Sequence, residues 1–146
     1  TNTTGFGDGI TMSNAKVELF DVALKGCNDN ALFIPHTTSA TTTLVATRCE
    51  FANSQYGALV YGSLTSATFN NCVFNDNEYY GIYGHESIIN LHGEATAIHS
   101  NGRHGIWALS SGKVLIHLPS HHNTSYNNVK EDRETHNGGT ITNVED

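Results

Sequence analysis

Charged residues are scarce in this chain of 146 residues, and basic residues are the scarcer kind. Lys and Arg together number 7 against 14 Asp and Glu, which gives a formal net charge of -7 with neutral histidines. Proteins bind the nucleic-acid backbone mainly through clustered Lys and Arg, so this composition argues against nucleic-acid binding. No apolar run approaches the roughly 20 residues that cross a bilayer, so no membrane-spanning segment is expected.

Cysteine is also rare. The three cysteines, Cys27, Cys49 and Cys72, are odd in number and well separated, so they do not form a disulfide framework. We expect buried thiols, which favours a reducing compartment. The chain begins at Thr1, without Met or a signal peptide. We therefore expect a processed form or a fragment of a longer chain.

Thr, Ser, Asn and Gly are abundant instead, and they separate short stretches that alternate apolar and polar residues. These stretches are "KVELFDVAL", "TTTLVATRCEF", "SATFNNCVF", "SIINLHGEATAI" and "KVLIHLP". Such alternation is typical of strands with one buried face. None of them has the 3.6-residue apolar period of a helix. The sequence therefore predicts an all-β protein.

The turns between these stretches repeat. Asn53, Asn77 and Asn101 follow one another at intervals of 24 residues, and a glycine stands four residues after each. A copy without the glycine begins at Asn28, and a looser one near Asn123. A repeat of 22–25 residues with two or three strands predicts a right-handed parallel β-helix of about five to six coils, stacked about 4.8 Å apart.

Stacking places equivalent residues of successive coils above one another. We expect an apolar ladder of Phe51 and Phe74, and a polar ladder of Asn53, Asn77 and Asn101, whose amides hydrogen-bond along the axis. We also predict one domain, with coils in residues 1–126 and a long polar loop with a last strand or cap in residues 127–146. End-to-end association with a second copy stays open, because neither end carries a clear helical cap.

The repeats "CEFANSQYGALV", "CVFNDNEYYGIY" and "AIHSNGRHGIWA" resemble those of the pectin-lyase-like superfamily of right-handed β-helices. The resemblance covers about residues 15–128. That superfamily includes polysaccharide lyases, hydrolases and epimerases, phage tailspikes and non-catalytic recognition repeats. The resemblance therefore implies the fold and leaves the activity open.

One repeat, "YGIYGHE" at residues 80–86, also resembles the Tyr-Gly-Phe-Asp-Pro-His-Asp/Glu motif of alginate C5-epimerases. The resemblance implies Tyr80, Tyr83 and His85 as catalytic candidates. Tyr83 stands where that family has its catalytic Asp, and Gly84 replaces the Pro. The 24-residue repeat alone also accounts for the motif, as the corner of one coil. We expect no cofactor, since Ca²⁺ would be needed only for a lyase activity, and no metal site, although His117, His121 and His122 lie close in sequence.

A binding face is predicted after the corner glycines. If the first residue after each glycine points inward, the second points outward, which places Leu59, Tyr83 and Trp107 on the surface. Tyr61 and His85 follow on the same face. We therefore expect Tyr61, Tyr83, His85 and Trp107 to form a platform for sugar rings or a protein partner. The alternative is a patch covered by the C-terminal segment.

Two functions follow from these observations. The first is a non-catalytic binding or structural module that recognises a polysaccharide or a protein partner. The second is a polysaccharide lyase or C5-epimerase of the alginate or pectin type, or an inactive relative of one. The sequence favours the first, because no axial line of acidic and basic residues can be assembled into a catalytic groove.

Overall fold

The computed structural model describes residues 7–117 and 124–145. In these residues the chain forms strands and no helix, so none is long and apolar enough to cross a membrane. In chain order, the strands are β1 (Ile10–Thr11), β2 (Lys16–Phe20), β3 (Ala23–Lys25), β4 (Asn30–Ile34), β5 (Thr42–Thr47), β6 (Glu50–Ala52), β7 (Tyr56–Tyr61), β8 (Thr65–Asn70), β9 (Val73–Asn75), β10 (Tyr80–His85), β11 (Ile88–His92), β12 (Ala97–His99), β13 (Ile106–Leu109), β14 (Lys113–His117), β15 (Ser125–Tyr126), β16 (Arg133–His136) and β17 (Thr140–Val144).

The strands form three parallel sheets, because every strand pairs with the strand three places along the chain. Sheet A has the order β1-β4-β7-β10-β13-β16, sheet B has β17-β14-β11-β8-β5-β2, and sheet C has β15-β12-β9-β6-β3. One strand of each sheet makes one coil. The described residues therefore form five complete coils and a sixth that contributes strands to sheets A and B.

The length of a coil varies more than the sequence indicated. Partners in neighbouring coils are 22 residues apart at Ile10 and Leu32, and 27 residues apart at Leu24 and Phe51. The difference lies in the loops, since residues 35–41 connect β4 to β5 whereas residues 86–87 connect β10 to β11. Individual coils thus deviate by a few residues from the repeat length, because loops outside the sheets accept insertions without changing the strand register.

The core is a stack of apolar ladders inside the coils. Phe51 and Phe74 are in register and fully buried, with ring centres 4.9 Å apart and planes 14° from parallel. Ile98 continues this ladder, and Phe69 from sheet B packs its edge against both rings. Burying each such side chain stabilises the fold by roughly 1.5–3 kcal/mol.

A polar ladder runs along the corner between sheets C and A, and it consists of Ser54, Asn77, Asn101 and Asn128. Asn77 Oδ1 accepts a hydrogen bond from Ser54 N at 3.2 Å, and Asn101 Oδ1 accepts from Asn77 N and Nδ2 at 3.2 and 3.0 Å. Asn128 Oδ1 accepts from Asn101 in the same way, at 3.0 and 2.8 Å. Each asparagine Nδ2 also donates to a carbonyl of the preceding coil. The ladder thus satisfies polar groups that would otherwise be buried without partners.

Asn53 does not belong to this ladder, contrary to the prediction. It is exposed and has a φ of 53°, like Asp76 at 55° and Ser100 at 59° in the next two coils. Asn53 therefore occupies the left-handed turn that comes just before the ladder residue. Asn adopts this conformation readily. The corner from Ser54 to Gly57 is one residue shorter than the corners from Asn77 to Gly81 and from Asn101 to Gly105. Counting back 24 residues from Asn77 therefore gives Asn53, although Ser54 is the residue in the ladder.

Asn28 lies outside the ladder too, but on the other side, since it follows the ladder position of its coil by one residue. Cys27 N donates a hydrogen bond to Ser54 Oγ at 3.2 Å, so Cys27 holds the equivalent position in the earlier coil. All three cysteines are free and buried. Burial raises the pKa of the Cys72 thiol to about 12.

The C-terminal segment contributes two strands instead of a loop with a single strand or cap. Strand β16 pairs with β13 in sheet A, and β17 pairs with β14 in sheet B. Asn127 has the left-handed corner conformation, with a φ of 55°, and Asn128 is part of the ladder. Residues 127–145 therefore continue the β-helix beyond the predicted boundary at residue 126.

Candidate functional site

The corner glycines set which side chains of sheet A point outward. A Cβ atom on Gly81 would lie 2.5 Å from Ile98 Cγ2 and 2.8 Å from Asn101 Nδ2, so only glycine lets the strand pack against the core and the ladder. Ile82 then points into the core and is fully buried. Tyr83 points outward by strand alternation, in register with Leu59 and Trp107.

Aromatic rings cover this outer side of sheet A and the adjoining corner over four coils. We call this set the aromatic surface, and it consists of Phe33, Tyr56, Tyr61, Tyr79, Tyr80, Tyr83, His85, His104 and Trp107. It contains five of the six tyrosines and the single tryptophan of the chain. Such a concentration on one face is not required by the repeat, since the outer positions of β5 and β8 in sheet B carry Thr, Val, Ser and Asn.

Tyr83 lies at the centre of the aromatic surface. Its ring centre is 5.6 Å from those of Tyr56, Tyr80 and Trp107, and 5.9 Å from that of Tyr61. These contacts are edge-on or tilted, the geometries that aromatic quadrupoles favour, and each contributes roughly 0.5–1.5 kcal/mol beyond area burial. The rings therefore hold one another in place before any ligand binds.

The periphery of the aromatic surface is more polar. His85 lies 5.3 Å from Tyr61, and His104 lies 5.3 Å from Trp107, measured between ring centres. The indole Nε1 of Trp107 and Nδ1 of His85 have no hydrogen-bond partner. His85 Nδ1 is 3.3 Å from Glu86 Oε1, a contact whose geometry does not make a hydrogen bond.

The structure brings together the four residues predicted as a binding face. Tyr61, Tyr83, His85 and Trp107 all lie on the outer side of sheet A and are partly exposed. The C-terminal segment does not lie over them, because β16 continues sheet A beside β13 and places Glu134 next to Trp107. The neighbouring rings contribute to their partial burial.

The predicted binding face did not include the rings of the corner, although Tyr80 was among the catalytic candidates. Tyr56, Tyr80 and His104 each stand immediately before a corner glycine, and Tyr80 stacks on His104 at 5.5 Å with planes 4° from parallel. The recurring aromatic residue before the glycine was a visible signal. Tyr79 was missed as well, and it stacks under the Arg103 guanidinium at 5.0 Å.

The catalytic candidates share β10, but their environment disfavours proton transfer by Tyr83. Burial, together with the neighbouring tyrosines, raises the pKa of the Tyr83 phenol to about 12. A general base has to be ionised near the working pH, so Tyr83 is a poor proton acceptor. Tyr80 is only 5% exposed and is packed between Tyr56, His104 and Trp107.

No metal centre is formed by the described residues, among which no three His, Cys, Asp or Glu side chains converge. His117 stacks on His92 with ring centres 4.0 Å apart, and its Nε2 lies 2.8 Å from Asn90 Oδ1. The other two histidines of that sequence cluster, His121 and His122, lie outside the described residues.

A shallow depression lies beside the aromatic surface, on the corner between sheets C and A. We call it the corner groove. It has a volume of about 400 Å³, and its polar side chains are Asn28, Asn53, Ser54, Gln55, Asp76 and Glu78. Two of these directly precede rings of the aromatic surface, since Gln55 is followed by Tyr56 and Glu78 by Tyr79. The two features therefore adjoin.

The fold and the repeats agree with a known family. The family model described as a right-handed β-helix region matches residues 8–145, nearly the whole chain, and the chain belongs to this family. The predicted all-β, right-handed parallel β-helix is thus confirmed, in agreement with the resemblance to the pectin-lyase-like superfamily. Neither the search of curated proteins nor that of solved structures found a match.

Proposed function

We propose that this protein is a non-catalytic module that binds a polysaccharide chain on the aromatic surface. The observation that carries the proposal is the contiguous set of partly exposed rings formed by Tyr61, Tyr83 and Trp107 on adjacent coils. Sugar rings present apolar C–H faces, which pack on aromatic side chains while the hydroxyl groups stay hydrated. The protein would then act as a recognition element rather than an enzyme.

The arrangement suits a polymer better than a single sugar. Neighbouring coils repeat at about 4.8 Å, so successive rings offer regularly spaced contacts to a chain of linked sugars. Several weak contacts on one chain reinforce one another through effective concentration. Because the rings already support each other, little side-chain freedom is lost on binding.

Two alternatives remain as outcomes of the experiment. An aromatic surface of this kind also suits a protein partner, since Tyr and Trp are enriched at the centres of protein interfaces. A lyase or epimerase acting on alginate or pectin would use Tyr80, Tyr83 and His85, and Ca²⁺ only as a lyase. The raised pKa of Tyr83 favours binding over either reaction.

The proposal is tested by measuring retention of the protein in gels that contain soluble polysaccharides. Trp107→Ala and Tyr83→Ala should each weaken binding roughly 3- to 10-fold, because a lost stacking contact of ~0.5–1.5 kcal/mol corresponds to that range. Tyr126→Ala is the matched control. Tyr126 is an exposed aromatic side chain on sheet C, stacked on His99 away from the aromatic surface, and its removal should leave binding unchanged.

Three results would contradict the proposal. The first is retention by no polysaccharide. The second is an equal loss of binding in the Tyr126→Ala control. The third is formation of unsaturated sugar ends from alginate or pectin that disappears in His85→Ala, which would establish the enzymatic alternative.

A further inference from the structure

Residues of the corner groove directly precede rings of the aromatic surface in two neighbouring coils. Tyr79 N donates a hydrogen bond to Gln55 O at 2.9 Å, and Glu78 N donates to Ser54 O at 2.8 Å. These bonds hold the groove residues of two coils in register. The rings of Tyr56 and Tyr79, which follow them in sequence, lie 5.7 Å apart. Each of these two rings is therefore one residue away from a groove residue along the chain.

The groove offers hydrogen-bonding groups to such a chain. Within the described part of the protein, the side chains of Asn53, Gln55 and Glu78 form no hydrogen bond, although polar groups of this kind bond readily to hydroxyls. The backbone holds Asn53 and Asp76 in the same left-handed conformation on adjacent coils. Asp76 Oδ2 is fixed by Asn75 Nδ2 at 2.7 Å. The planar amide of Asn53 and the carboxylate of Asp76 thus lie on adjacent coils, on the same corner as the groove.

The charge of this region is negative. The carboxylates in the groove or next to the aromatic surface are Asp76, Glu78, Glu86 and Glu134. The described residues that line the groove include neither Lys nor Arg. Arg103 supplies positive charge at the edge, where its guanidinium rests on the Tyr79 ring. A polyuronate brings one negative charge with every sugar, so repulsion from the four carboxylates accumulates along the bound chain.

We infer that the ligand is an uncharged polysaccharide, and that the corner groove binds its hydroxyl groups while its carboxylates exclude polyuronates. This inference rests on the proposed function and defines its ligand class. Glu78 and Gln55 bind sugar hydroxyls, and Tyr56 and Tyr79 support the adjoining ring. Glu78 and Asp76 also determine specificity, because their charge repels a carboxylated chain.

The probes are matched pairs that differ only at C6, which carries a hydroxymethyl group in one chain and a carboxylate in the other. Oligosaccharides of β-1,4-glucan, β-1,3-glucan and β-1,4-galactan are compared with the same chains after oxidation of the C6 hydroxyls to carboxylates. At low salt the protein should bind a neutral chain at least about tenfold more tightly than its oxidised counterpart. The difference should shrink as salt is raised, because exposed charges are screened.

Two sets of variants separate the two roles of the groove. The double variant Asp76→Asn with Glu78→Gln keeps the shape of the groove and its hydrogen-bonding capacity. Its affinity for the oxidised chain should exceed that of the unaltered protein by about threefold or more, while its affinity for the neutral chain changes little. Asn suits the left-handed φ of 55° at position 76. Gln55→Ala should weaken binding of the neutral chain by about threefold or more, through loss of a hydrogen bond. Thermal unfolding of each variant verifies that the fold is kept.

The outcomes distinguish this inference from the proposed function. Equal affinity for neutral and oxidised chains, or a preference that the double variant leaves unchanged, overturns the inference. If Trp107→Ala still weakens binding in that case, the proposed function stands alone. If no chain binds, both are overturned.

Discussion

Tyr83 shows how the environment of one side chain limits its chemistry. Its phenol is enclosed by three other tyrosines and Trp107, and burial raises its pKa from 10.0 to about 12. The folded protein therefore holds the proton more tightly than the unfolded chain does. The stability from the neutral phenol is fully present below pH 10 and is lost as pH rises towards 12, because the unfolded chain ionises first.

Tyr83→Phe should reduce this alkaline loss of stability. The variant keeps the ring and removes the ionising group, so its free energy of unfolding should fall less than that of the unaltered protein between pH 10 and 12. Urea unfolding at a series of pH values measures the difference. Cys72, whose pKa is also raised to about 12, contributes equally in both proteins. Parallel curves for the two proteins would show that Tyr83 does not titrate as the structure indicates.

Strand β13 shows the alternation that builds each element of this fold. Ile106 and Ala108 are fully buried, whereas Trp107 and Leu109 are only partly buried on the outer side. Backbone pairing to β10 on one side and β16 on the other holds this phase. A shift of one residue would place Trp107 in the core and Ile106 in water.

Ile106→Ala should lower the free energy of unfolding by roughly 2–5 kcal/mol, because it removes core contacts and leaves a cavity. Leu109→Ala on the same strand is the matched control. It removes an aliphatic side chain of the same size from the partly exposed face, so we expect it to cost less than half as much. Denaturant unfolding of the two variants gives the comparison. A larger cost at Leu109 would mean that the strand is inverted.

The coils are stable only as a stack, since each buries its apolar ladders against its neighbours. The polar ladder joins the coils at the corner between sheets C and A. Asn101 connects three successive coils, because it accepts from Asn77 and donates to Phe74 O and Asn128 Oδ1. Removing the side-chain amide of Asn101 therefore leaves polar groups of both adjacent coils unpaired.

Asn101→Ala should lower the free energy of unfolding by more than about 2 kcal/mol. The reason is that each buried polar group left without a partner costs ~1–3 kcal/mol, and the substitution leaves several such groups. Asn53→Gly is the control at the exposed corner position. Its φ of 53° is one that glycine adopts freely, so its stability should change by only a few tenths of a kcal/mol. Thermal and denaturant unfolding test both variants. Similar losses would place Asn53 in the ladder after all.

Particular residues show where prediction from the sequence succeeded and where it failed. Phe51 and Phe74 were placed in one ladder because alternation and period together determine both their side and their height. Asn53 was misplaced because residue type alone does not show that Ser54 takes the ladder position in a shorter corner. Tyr56 was missed because the alternation rule applies to residues within a strand, and Tyr56 lies at the corner where β7 begins, where its ring packs on Tyr80.

The sequence by itself determined the parallel β-helix and the inward or outward direction of the strand residues that follow the corner glycines. Stacked parallel strands need the same class of residue at equivalent positions of each coil. The sequence therefore repeats its residue classes with a regular period. Only the tertiary structure decided the register at the corners, the contacts among the rings and the corner groove. These depend on loops of unequal length, which change the residue count between coils without disturbing the hydrogen bonds that align them.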